Sequence, residues 1–362
     1  MTNDADHPQP VLAAPWLVRL PALRTLLLLV VIVVAMTILT GGAFTAPDNL
    51  VDLTRQVSFE ALIAFGMTFV VVTGGIDLSV GALVALTGVV AGLVLRATPG
   101  WSEPVAIGVA LACAVAVGLA AGTLSGGVVT RFAAPPFIVT LAVMLVARGA
   151  ASTLCAAQPV TDLPPALASL SHGFVAQGAF ARLDHWLAGT TVDAESAGRW
   201  LPVPLLIMLI GFVVFHVLLT RTVFGRGAVA VGSNATAARL AGIPTHRTRI
   251  LVYALTGGLC GLVGVLHDAS GMTADPAAGQ MWELSIIAAV VLGGTSLFGG
   301  RGTITGTLFG AFTIGALANG LTILGAAPYW RNVTLGAIIL AAVIADAAQH
   351  RRDHRWGGNA PG

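Results

Sequence analysis

The residues able to do chemistry are few, and most of them fall in one stretch, VVVTGGIDLSVGALVALTG at 70–88. Thr73, Gly74 and Gly75 are of the types that end one helix, and Asp77 and Ser79 of the types that cap the next. Short polar side chains accept from the free N–H groups of a first turn, and an aspartate there is stabilised by the positive helix end. Such an N-terminus also presents N–H groups to a polar ligand. Two readings follow: a capped tight hairpin at the inner surface, and a break set deeper along a substrate path. Glu60 and Arg148 are further ionisable residues within or near apolar runs, where such residues are functional candidates by default. With Asp77 they keep a proton-coupled secondary transporter open as the alternative. No paired Ser and His, metal-spaced His or Asp dyad occurs in the apolar segments. No catalytic residue, metal site or cofactor is therefore expected. Cys113, Cys155 and Cys260 are scattered and read as small buried hydrophobes.

A second constellation lies at 221–249, RTVFGRGAVAVGSNATAARLAGIPTHRTR, with five arginines, one histidine and no acid. Short basic loops stay on the inner side of a membrane, so this stretch fixes the orientation of the rest. Ser233 and Asn234 can cap a short helix over 234–241 that includes Ala237 and Arg239, and Gly242 followed by Pro244 supplies its stop. A capped surface helix beside Arg226 and Arg239 is suited to contact a partner.

The elements that position these residues are membrane spans. Of 362 residues 56% are hydrophobic and 9% charged, far from the roughly 25% charged usual in soluble domains. An all-α integral membrane protein is implied, and the net charge of +2 gives no reason to expect nucleic acid. Apolar runs at 26–39, 57–73, 80–97, 104–129, 136–156, 202–220, 250–270, 284–299, 302–323 and 330–346 predict a bundle of about ten transmembrane helices. Threading them from an inside N-terminus leaves 12 arginines in inner segments and five in outer ones, which supports that orientation. Cytoplasmic tails are expected at 1–20 and 347–362, with the transmembrane domain over 21–346 between them. A long outer loop at about 158–200 and a second acidic outer segment from Asp268 to Glu283 are candidate docking surfaces for a soluble partner.

Glycines recur at intervals of four, at 118, 122 and 126 and again at 302, 306 and 310. Residues four apart share a helix face, so these predict close helix crossings. VLGGTSLFGGRGTITGTLFG at 291–310 is a weak echo of the first hairpin, with a Gly-Gly pair between two apolar arms.

Three blocks, TGGIDLSVGALVAL at 73–86, AVGSNATAARLAGI at 230–243 and ELSIIAAVVLGGTSLFGGRGTITGTLFGA at 283–311, resemble the permease subunits of bacterial ATP-binding-cassette sugar importers of the ribose, xylose, arabinose and galactofuranose type. PFIVTLAVMLVARG at 136–149 is similar too, and the resemblance covers nearly all of the chain after the first span. It implies a multi-pass protein of the bacterial inner membrane that imports a monosaccharide or sugar-like solute. The implied partners are a separate ATPase chain, a periplasmic sugar-binding protein and a second permease subunit, either a copy or a paralogue, all within membrane lipid. The second block matches the part of these permeases that contacts the ATPase, which gives Arg226, Ser233, Asn234, Ala237, Arg239 and Gly242 a coupling role. All 18 basic residues counted as Lys or Arg are arginine. A P-loop needs its lysine, so ATP hydrolysis is expected on the partner.

Overall fold

The computed structural model describes residues 21–175 and 201–357. The described residues form helices α1 (Pro21–Leu39), α2 (Pro47–Val72), α3 (Val80–Ala97), α4 (Glu103–Arg131), α5 (Pro136–Leu154), the single turn α6 (Ser169–His172), α7 (Val203–Arg221), α8 (Val223–Ser233), α9 (Ala235–Leu240), α10 (Thr245–Gly271), α11 (Trp282–Leu292), α12 (Ile304–Ile323) and α13 (Pro328–Gly357). Proline stands in the first turn of α2, α4, α5 and α7, where its missing N–H would be unpaired anyway. Eight of these helices are long and apolar enough to cross a membrane. Two shorter apolar stretches, Trp282–Leu292 and Tyr329–Ile344, fall in the runs expected at 284–299 and 330–346. The predicted tail at 1–20, residues 358–362 of the predicted tail at 347–362 and the outer-loop residues 176–200 lie outside the described residues, while α13 runs without a break past 346 to Gly357.

The core is built around α2, whose Leu62, Ile63, Phe65, Met67 and Phe69 are buried. It packs against α7, α10, α11 and α12. The peripheral helices turn apolar side chains outward, with Val146 of α5 71% exposed and Val31 of α1 63% exposed, as helices do when their surroundings are also apolar. Where α4 crosses α10, a Cβ on Gly118 would collide with the carbonyl of Gly257, and one on Gly122 with that of Tyr253. The glycine face predicted from the spacing is thus a backbone-to-backbone crossing. Gly306 and Gly310 play the same part against Gly293 and Ala289, joining α11 to α12.

Two expectations need correction. The run at 284–299 is not one span: α11 stops at Leu292 after 11 residues, about 16 Å of helix against a hydrocarbon core of roughly 30 Å. Gly294 takes the left-handed stop position at φ 86°, and the Gly294 and Thr295 N–H groups bond the Val291 and Val290 carbonyls at 2.9 and 3.2 Å. Nor is 268–283 a solvated loop. Asp268 is 2% exposed at the end of α10, and the non-helical chain after it folds back along α3. Ala274 meets Gly92 while the Gly279 carbonyl lies against Gly81, a descent of 11 residues along that helix, or about 16 Å.

Candidate functional site: two helix breaks and the basic loop

The first break starts where α2 ends. Gly74 adopts φ 78°, and the Gly74 and Gly75 N–H groups bond the Val71 and Val70 carbonyls, both at 2.9 Å. This is the same stop that ends α11. Asp77 is wholly buried, and its Oδ1 accepts from the Ser79 N–H at 2.9 Å and from Ser79 Oγ at 2.6 Å, while its Oδ2 has no partner. Ser79 precedes α3 without making a side-chain capping bond. The expected side-chain cap on α3 is therefore not formed, and Asp77 instead ties the turn just ahead of the helix. Thr140 of α5 pins the strand-like stretch between: its Oγ1 accepts from the Leu78 N–H at 3.1 Å and lies within hydrogen-bond distance of the Ile76 carbonyl, at 3.2 Å, and of its own helix's Pro136 carbonyl, at 3.0 Å. Of residues 73–79 only Gly74 is exposed.

The second break, 293–303, comes directly against the first. The Gly300 N–H donates to the Val72 carbonyl at 2.8 Å. Asp346 of α13 holds the same loop by accepting from the Leu297 N–H at 3.0 Å and from Ser296 Oγ at 3.3 Å. The weak sequence echo thus marks a loop that touches the end of α2.

The basic loop folds as two helices where the sequence predicts one. Thr222 caps α8 by accepting from the Gly225 N–H at 3.1 Å. Ser233 ends α8 and bonds back to the Val229 carbonyl at 2.9 Å. Asn234 alone caps α9, accepting from the Thr236 and Ala237 N–H groups at 3.0 Å each. Gly242, at φ 80°, closes α9, with Ile243 N–H bonded to the Ala238 carbonyl at 3.0 Å. Ala237, Arg226 and Arg239 are exposed, and Leu240 is 86% exposed. Gly232 in the last turn of α8 sits against both breaks, since a Cβ there would collide with the Val72 carbonyl and lie 2.6 Å from Gly300 N. An exposed helix pair thus rests on the junction of two discontinuous helices.

Residues 49–343 match the family described as branched-chain amino acid transport system / permease component. The chain belongs to this permease family. Among its relatives, the ribose import permease protein RbsC of Bacillus subtilis (strain 168) is 40% identical over 323 residues, covering 88% of this chain and 90% of the relative. RbsC of Escherichia coli (strain K12) is 40% identical over 333 residues, covering 91% and 94%. The xylose transport system permease protein XylH of the same strain is 33% identical over 362 residues, covering 90% and 91%. No solved structure matches. The permease is thus a transport component, not an enzyme.

In this permease Arg148 stands apart from the hairpin. It lies on α5 two turns beyond Thr140, and its Nη1 donates to the carbonyls of Pro276 and Ala278 at 3.0 and 2.6 Å. Non-helical backbone at membrane depth must find partners inside the protein, and Arg148 supplies them to the descending 275–281 segment. An Arg148→Ala permease is expected to lose about 1–3 kcal/mol for the stranded carbonyls, measured as a lowered melting temperature in detergent. Sequence reasoning missed Gly232, Thr140 and Tyr253. For Gly232 the available signal was a third glycine in α8, after Gly225 and Gly227, that no turn required.

Proposed function

We propose that the protein is the membrane-spanning subunit of an ATP-driven importer that moves a monosaccharide or sugar-like solute into a bacterial cell. The observation that carries this reading is the similarity, over about nine-tenths of the chain, to permeases named for ribose and xylose. In this reading the arginine-rich end is cytoplasmic, as are both termini, in line with the 12-to-5 arginine bias. The exposed face of α9, with Ala237, Arg239 and Gly242, docks the separate ATPase chain, while α8, with Arg226 and Ser233, relays movement to the breaks at Gly74–Ser79 and 293–303. A periplasmic sugar-binding protein docks at the opposite end, and a second permease subunit completes the path. The hairpin holds shape during the cycle, and the work comes from ATP.

Reconstitution with a candidate ATPase and binding protein tests this. Addition of ribose or xylose should stimulate ATP hydrolysis and drive uptake that persists in a protonophore. Stimulation by leucine in place of both sugars would move the assignment to branched-chain amino acids, which the family description also names.

A further inference from the structure

A cavity of about 270 Å³ opens beside the first break, at the arginine-rich end of the bundle. Its polar lining comes from Thr73, from Arg249 and from Tyr253 of α10, and its apolar wall includes Ala134 and Pro135 of the α4–α5 connection. Tyr253 is 1% exposed, and its hydroxyl has no hydrogen-bond partner. A buried phenol normally finds a partner, since stranding one costs free energy. The ring stays close because Gly75 has no side chain: a Cβ there would collide with Tyr253 Oη. Thr73 Oγ1 spends its proton on the Val70 carbonyl at 2.8 Å, which leaves it the capacity to accept. Arg249 is half-buried and lines the same cavity. The volume is roughly that of nine liquid waters at ~30 Å³ each, which suits a single pentose or hexose.

We propose that this cavity is an exit subsite, in which a monosaccharide leaving the bundle is held by Tyr253, Thr73 and Arg249 before release to the cytoplasm. Sugars carry hydroxyls that both donate and accept, together with an apolar C–H face. When the joint moves and uncovers the buried Tyr253 hydroxyl, Tyr253 donates to one hydroxyl, Thr73 accepts from another, Arg249 donates to a third, and Pro135 covers the C–H face. The subsite is assembled by the same Gly74–Gly75 stop that touches Gly300, so movement of the joint widens or closes it. This inference rests on the sugar-import reading.

The test uses inside-out vesicles carrying the permease with its ATPase and an Ala134→Cys label site, with the three native cysteines replaced by alanine. A membrane-impermeant maleimide reports on the cavity lip. D-ribose or D-xylose, whichever the parent transports, is expected to slow labelling in a saturable way. Tyr253→Phe, which removes only the hydroxyl, should raise the half-protecting concentration by about tenfold, the loss expected for one hydrogen bond. Transport of the sugar without protection, equal protection in Tyr253→Phe, or protection by inorganic phosphate instead of sugar would each overturn the subsite. Failure of the parent to transport these pentoses or any other monosaccharide is a different result, which removes the sugar reading on which the subsite depends.

Discussion

A Gly232→Val permease should still insert and bind its ATPase, yet consume far more ATP for each sugar imported. Gly232 is the point at which the loop helices press on both helix breaks, against the Val72 carbonyl and the Gly300 amide. A valine there must push α8 away from the junction or break the 2.8 Å bond between Gly300 N–H and Val72 O. Overpacking of this kind costs about 1–3 kcal/mol. Taken from the coupling between the loop and the breaks, that is roughly a 5–150-fold loss. The measurement is uptake and ATP hydrolysis on the same proteoliposomes. Ala237→Trp and Gly242→Val, on the far side of the same helix pair, should lower the uptake-to-hydrolysis ratio too, by disturbing the proposed docking face instead of the joint. A Gly232→Val protein with a normal ratio would mean that movement reaches the breaks by another route.

That joint was only half legible in the sequence. Asn234 and Gly242 announced α9 because capping is local: the atoms that satisfy the helix ends lie within a few residues of them. The glycine faces of α4 and α12 were legible for the same reason, since a four-residue interval is itself geometry. The half-helix α11 was not, because an apolar run records burial and not the point at which the backbone leaves the helix. The descent of 272–281 was hidden more deeply. Asp275 and Pro276 look like surface-loop residues, and the group that lets their backbone enter the bundle, Arg148, lies 128 residues from Pro276. The contact between Gly300 and Val72 is likewise long-range, and only the repeated Gly-Gly pairs hinted at it.

Asp77→Asn is expected to retain the fold and most transport, whereas Asp77→Ala should lose both. The working atom is Oδ1, which receives the Ser79 N–H and hydroxyl. Asparagine keeps a carbonyl oxygen at that place and is nearly as good a cap as aspartate. Alanine leaves the buried Ser79 amide with no acceptor and costs about 1–3 kcal/mol, which falls on the hairpin that Thr140 and Gly300 also hold. A proton carrier makes the opposite demand. Its carboxylate must titrate in each cycle, so Asn fails as completely as Ala and uptake follows the pH gradient. Comparing the two variants for melting temperature and for ATP-driven uptake separates the cases. An inactive but stably folded Asp77→Asn, together with uptake that collapses in a protonophore at constant ATP, would overturn both the structural role of Asp77 and the ATP-driven reading. The geometry favours a structural role, because both bonds to Asp77 tie the turn ahead of α3 through one oxygen that the amide reproduces.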